Sequence, residues 1–278
     1  MAMRRSAVID TARGLSLHDH VGWSFHDPAD FRAHAGRFLA EGLDRRQRII
    51  YIAGADETVP DDLAGLRGAQ VEITSVAQMY TAGEPVDPEE QVATFAEAKD
   101  RALADGWTGL RVAADVTSLV LTDEQRAAWI RYEYLVDGFM SQEPVSGFCG
   151  FDRTALDPTA LAEVACLHPA LTPDTSEFRL FTAAGAGPGL TLAGEIDPGN
   201  RHILAAALDN ARPVSRDGRF TVDATALTFI DHRGLELLAD YAAQRGVDAV
   251  IYTGRDSVAA MISQVVSLSG LDVRVVAG

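Results

Sequence analysis

Apolar positions along the chain switch period repeatedly, between the two-residue repeat of strands and the 3.6-residue repeat of helices. Strand-type runs occur at VGWSF (21–25), RIIYIAG (48–54), QVEITSV (70–76), GLRVAADV (109–116) and VSGFCGF (145–151). The first helical stretch, 28–44, presents Phe31, Ala35, Phe38, Leu39 and Leu43 on one face. Asp27 stands there as N-cap, with Pro28 at the first helical position. Helical patterns follow at 88–105, 123–142 and 157–167. This alternation predicts an α/β domain with a largely parallel sheet sandwiched by helices.

The polar stretch LTPDTSE (171–177) is the best linker candidate and divides the chain into domains 10–172 and 178–278. In the second domain, FRLFTAA and LTLAGEI flank GAGPG (185–189), a hairpin pattern. Helices are expected at 200–211, 232–245 and 257–269, and strands at 219–225, 248–254 and 272–277. Leu235, Leu238, Ala239 and Ala242 form one apolar helix face, and Val258, Met261, Ile262 and Val265 another.

Composition adds exclusions. At 278 residues the chain has room for two cores. A net charge of −16, most of it in residues 1–185, opposes binding to nucleic acid or anionic lipid. No apolar run is long enough to span a bilayer, and the start lacks the apolar stretch of a signal peptide. Two cysteines are too few for a disulfide framework, so a cytoplasmic protein with reduced thiols is expected.

Catalytic motifs are missing. GAGPG leads into an apolar strand rather than a helix, the single lysine is Lys99 inside a helical pattern, and no GxxxxGK[ST], GxSxG or HExxH occurs. The expectation is a protein that is not an enzyme, with no catalytic residues, no cofactor and no metal site. Among the early histidines His18, His20, His26 and His34, only the first two share a tight spacing. Asp115 ends an apolar strand, where α/β sheets bind ligands; an acid capping a loop is the alternative. Cys149 lies on an apolar strand, as pocket wall or as core, and Cys166 reads as packing. Trp23, Trp107, Trp129, Tyr132 and Tyr134 could shape an apolar site, though core packing explains most of them.

Two resemblances sharpen this picture. LTLAGEID (190–197) and DATALTFIDHRGLELLADYA (223–242) resemble the STAS family of anti-sigma-factor antagonists, through Gly194, Glu195 and Asp197 and then the strand-to-helix turn at Asp231 and Gly234. That family usually has Asp-Ser-Ser-Gly or Asp-Ser-Thr-Gly at the turn, and a partner kinase phosphorylates the second hydroxyl. Here the turn is Asp231-His232-Arg233-Gly234, so the phosphoacceptor is replaced by Arg233. The resemblance implies a protein-binding surface at Asp231, His232, Arg233 and Gly234, and an anti-sigma factor with a kinase-like ATPase fold as partner. The phosphate switch is not carried over.

The first domain resembles the MEDS (methanogen/methylotroph sensory) family, through residues 20–25, FLAEGLDRRQRIIYIAG (38–54), GWTGLRVAADVTSL (106–119), GFCGFDR (147–153) and His168-Pro169. The family often has cysteine two residues after the first histidine and tryptophan after Asp-x-Thr, where this chain has Gly22 and Ser118. The resemblance implies a RecA/KaiC-like three-layer α/β sensory domain without ATPase motifs, taking a small hydrocarbon-derived ligand. His20, Trp23, Asp115 and Cys149 are the candidate pocket residues. The combined expectation is a cytoplasmic regulator, anti-sigma-factor-antagonist-like, whose sensory domain controls a smaller STAS domain. The alternative is a scaffold that forms homo-oligomers and binds no anti-sigma factor.

Overall fold

A computed structural model describes residues 6–54, 71–81, 83–183, 189–215 and 217–276. The first sheet is parallel throughout. Its strands are β1 (Ala7–Val8), β2 (His20–Phe25), β3 (Arg48–Ala53), β4 (Val71–Ser75), β5 (Leu110–Asp115), β6 (Val145–Asp152) and β7 (Ala170–Leu171), in the order β1-β7-β2-β6-β5-β3-β4. Helix α1 (Pro28–Asp44) covers one face, packing Phe31 and Phe38 on Phe148. The other face carries α3 (Pro88–Ala104), α4 (Asp123–Gln142) and α5 (Pro158–Ala165), after the single-turn α2 (Val76–Met79). Side chains alternate along each strand, so β2 gives Val21, Trp23 and Phe25 to the α1 side and His20 and Gly22 to the α4 side.

The helix boundaries follow their caps. Asp27, Asp87 and Asp157 accept hydrogen bonds from first-turn amides, each just before a proline that is pre-set for the helical φ. Thr122 and Gln125 close a capping box on α4. Two short strands, β1 and β7, extend the sheet where too few residues exist for an alternation to register.

The second sheet has the order β11-β9-β10-β12-β13, with β8 antiparallel to β9 on its other side. Its strands are β8 (Phe178–Thr182), β9 (Leu190–Ile196), β10 (Arg219–Asp223), β11 (Leu227–Ile230), β12 (Asp248–Gly254) and β13 (Leu271–Val276). Helices α6 (Arg201–Ala211), α7 (His232–Ala243) and α8 (Val258–Val265) alternate with them. The chain is therefore mixed α/β with two sheets. The predicted strand 219–225 is β10, and β11 is a further strand that periodicity did not register; β10 pairs with the start of β9 and β11 with its end. The GAGPG turn lies outside the described residues except for Gly189.

The candidate linker 171–177 is partly buried: Thr172 and Thr175 are buried and share hydrogen bonds with Ser24 at 2.7 and 2.8 Å. One expectation needs correction. The face of α8 expected to be core is largely open, with Met261 53% and Val265 82% exposed. Ala259 and Ala260 bury instead, with Ile262 partly buried against the second core.

The two sheets meet on α4. One side of this helix, with Trp129, Tyr132, Val136 and Met140, packs on the first sheet. Ile130 joins the core of the second sheet, alongside Cys166 and Leu167. Arg131 donates to the carbonyl of Ala211 at the end of α6, and Tyr134 Oη accepts from the Val214 amide. The outer edge of β8 is sealed by the first unit. The Leu180 amide donates to Cys166 O at 2.7 Å and the Thr182 amide to Asp137 Oδ2 at 2.8 Å, so these edge donors are not left unpaired.

One buried cation fastens the first sheet. Arg111 is fully buried and donates to Gln47 Oε1, Phe38 O and Leu15 O at 2.5, 2.7 and 2.6 Å, with its guanidinium over the Phe38 ring. Burial pulls its pKa down to about 10. Arg111→Met would remove three buried hydrogen bonds and leave Gln47 Oε1 without its donor, although Leu15 O keeps the one from Arg45, and equilibrium urea unfolding is expected to show a loss of about 3 kcal/mol or more.

Candidate functional site

Strand β2 opens with His20, and β6 runs beside it with Gly147 opposite His20 and Cys149 opposite Gly22. Helix α4 crosses above this face and points Glu133 and Asp137, one turn apart, at the two strands. The short segment after α5 delivers His168. A Cβ on Gly147 would lie 3.2 Å from the His20 ring, and one on Gly22 3.1 Å from His168, so the bare backbone lets both imidazoles approach the sheet closely.

His20, Glu133 and His168 are completely buried and Asp137 is 1% exposed. The imidazoles are 4.2 Å apart between centroids. His20 Nε2 lies 3.1 Å from Glu133 Oε2, and His168 Nε2 lies 3.6 Å from the same oxygen. Cys149 Sγ is 3.8 Å from His20 Nε2. Yet both Glu133 oxygens and His168 Nε2 lack any partner in hydrogen-bond geometry. These atoms are close without being aimed at one another. One ligand atom from each of His20, Glu133, Cys149 and His168 lies within 4.8 Å of all the others.

Outer contacts fix the rings. His20 Nδ1–H donates to Asp137 Oδ1 at 3.0 Å, and His168 Nδ1–H donates to the Ala165 carbonyl at 3.0 Å. A carbonyl only accepts, so His168 must present the lone pair of Nε2 to the cluster. Burial holds the His168 pKa down to about 4. Burial also works against a charged His20, but the nearby Glu133 charge and the contacts with Asp137 and Cys149 outweigh it, leaving its pKa well raised. Burial, reinforced by Glu133, pushes the Cys149 thiol up to about 11. Two imidazoles, a carboxylate and a thiol form a donor set suited to a first-row divalent metal or to a buried proton.

Beside Cys149 is an apolar cavity of ≈ 30 Å³, lined among others by Val112, Ala114, Trp129, Tyr132 and Met140. A void of that size accommodates one or two small groups rather than a drug-sized ligand.

Of the four candidate pocket residues, the structure brings His20 and Cys149 together. Trp23 is on the opposite face of the sheet, stacked on His34 and Phe148. Asp115 ends β5, where its Oδ1 accepts from the amide and hydroxyl of Thr117, the loop-capping alternative. Trp129 and Tyr132 line the cavity, whereas Tyr134 turns to the second sheet. His18, His26 and His34 stay outside the cluster. Sequence reasoning missed Glu133, Asp137 and the role of His168. The available signal was an acidic pair, i and i+4, inside the apolar stripe of Trp129, Tyr132, Val136 and Met140.

The residues of the second unit occupy one end of its sheet. Asp231 caps α7 by accepting from the Gly234 amide at 2.8 Å. His232 and Arg233 are exposed, and Arg233 pairs with Glu236 at 2.8 Å, which offsets the cost of a cation near the helix N-terminus. Asp197 Oδ1 accepts from the Gly199 amide, and the side chain of Glu195 is exposed. An open groove of ≈ 440 Å³ runs between α6 and α7, bordered by Arg201, His202, Arg233 and Glu236.

No helix among the described residues is long and apolar enough to cross a membrane. A search of the curated proteins finds no match for the chain. A family model described as MEDS, the methanogen/methylotroph, DcmR sensory domain, matches residues 19–169. The matched span starts one residue before His20 and stops one residue after His168. It covers more than half of the chain, which therefore belongs to the MEDS sensory-domain family.

Proposed function

We propose that the chain is a cytoplasmic two-unit regulator, in which the MEDS domain senses a small apolar molecule in the cavity beside Cys149 and the second unit passes its state to another protein. The observation that carries this reading is the position of α4. It roofs the cavity with Trp129 and Tyr132 and also packs Ile130 into the second core. A ligand that displaces the roof must therefore act on the second sheet as well. Such a ligand biases the output only through its different affinity for the two arrangements.

For the first unit, parallel strands covered by helices on both faces support a RecA/KaiC-like three-layer arrangement. For the second unit, several features support a STAS-type interaction domain. Gly194 has φ 95°, and a Cβ there would lie 2.3 Å from Glu177 O; a Cβ on Gly234 would lie 2.7 Å from Ile230. Both positions thus need glycine for backbone and packing reasons. The Asp231 cap places His232 and Arg233 in solvent next to the α6–α7 groove, a surface open to a protein partner. The partner class indicated by the resemblance is an anti-sigma factor with a kinase-like ATPase fold. With Arg233 at the phosphoacceptor position, control falls to the sensory domain.

Calorimetry of the full chain against purified kinase-like anti-sigma factors from the source organism tests the partner. One of them is expected to bind, and Arg233→Glu to weaken it by about tenfold or more through charge reversal in the contact. Binding by none of them would reject that partner class. Sensing is tested by xenon-129 NMR and by thermal shift with methanol. Wild-type signals at the cavity are expected to respond, and Ala114→Leu, which fills the void, to abolish the response.

A second reading, self-association, is favoured by the open apolar face of Met261 and Val265 on α8, with Val275 of β13 also half exposed. Sedimentation of wild type and of Met261→Glu/Val265→Glu separates the two readings. If the face is a homo-oligomer contact, wild type is a dimer or larger and the variant a monomer at the same concentration.

A further inference from the structure

We propose that His20, Glu133, Cys149 and His168 ligate a divalent transition-metal ion of the zinc class, with Asp137 as the outer group that ties the ion to the second sheet. Four strands of observation converge on this site. First, the four donor atoms lie within 4.8 Å of one another, and three of their six separations are close to those of a small tetrahedral ion. Metal–nitrogen bonds near 2.0 Å and metal–sulfur bonds near 2.3 Å imply donor–donor edges of about 3.3–3.7 Å. The contacts of 3.1, 3.6 and 3.8 Å bracket that range. Second, both Glu133 oxygens and His168 Nε2 are fully buried and unpartnered, although Oε2 lies 3.1 Å from His20 Nε2 and 3.6 Å from His168 Nε2. Atoms that crowd a common point without bonding one another are what an ion at that point would leave. Buried polar atoms without partners are otherwise costly.

Third, the outer contacts have the form found around protein-bound metals. Each histidine donates its remote N–H, one to a carboxylate and one to a backbone carbonyl, which orients the ring and leaves Nε2 for the ion. Fourth, the buried carboxylates Glu133 and Asp137 lie one turn apart on α4, a placement that calls for positive charge between them and the sheet. Mixed nitrogen, oxygen and sulfur donors favour zinc, cobalt or ferrous iron over magnesium or calcium, which prefer oxygen alone.

Asp137 gives the ion a line to the second unit. One carboxylate oxygen holds the ligand His20, and the other accepts from the Thr182 amide of β8. Removing the ion frees His20 to turn, and Asp137 must then hold Thr182 without its opposite partner. Asp137 is here a positioning residue. This second half of the inference rests on the sensory reading, whereas metal binding itself does not.

Cobalt(II) is the probe for the site, added to the full chain after exhaustive chelation. Wild type is expected to bind one equivalent with the intense visible bands of four-coordinate cobalt and a thiolate-to-cobalt charge-transfer band. Cys149→Ser should lose the charge-transfer band, and His168→Gln should weaken binding by at least about tenfold. Only a weak six-coordinate spectrum, or a spectrum unchanged in Cys149→Ser, would overturn the site without any reliance on variants that fold poorly. Asp137→Asn is expected to cost about 10–100-fold in cobalt affinity. Hydrogen exchange reads the link: cobalt should slow the Thr182 amide in wild type, and not in Asp137→Asn, while β12 amides keep their protection in both. An unchanged Thr182 amide in cobalt-loaded wild type would sink the link and leave the site standing. Failure of xenon or methanol to bind would instead reject the sensory reading and leave the cobalt result untouched.

Discussion

Glu133 and Asp137 are buried on the helix that both sheets share, and the architecture is organised around satisfying them. Two carboxylates out of water are tolerated only with charged or hydrogen-bonding partners close at hand. Those partners come from distant parts of the chain: His20 from the first central strand and the Thr182 amide from the first strand of the second sheet. To bring them together, α4 must lie across β2 and β6 at a fixed height, and β8 must dock against α4. The acidic pair thereby specifies the relative placement of the two units more narrowly than apolar packing alone would.

The same helix joins the two units at this junction. Ile130 belongs to the second core while Trp129 and Tyr132 belong to the first. The segment between the sheets is pinned by the Ser24, Thr172 and Thr175 hydroxyls and by Arg153, which donates to Ser24 Oγ and Pro173 O.

Sequence alone was a good guide to the elements and a partial guide to the site. The strands at 48–54 and 145–151 and the helices at 28–44 and 123–142 follow from periodicity and caps, because these signals are local. His20 and Cys149 stood out as chemically unusual residues on apolar strands, and the structure pairs them. Trp23 and Asp115 carried the same kind of signal. Trp23 occupies the opposite face of β2, and Asp115 caps its own loop. An alternating strand shows which residues share a face, but not which face a helix covers.

What the sequence by itself determined is the α/β alternation and the helix caps. Each depends on residues a few positions apart. Tertiary structure decided the rest: that Glu133 and His168 join His20 and Cys149, that Asp137 bridges to Thr182, and that Met261 and Val265 face solvent. His20 is 117 positions from Asp137 and 129 from Cys149, separations over which no periodicity carries information. Only the packing of α4 between two sheets brings those side chains to one point.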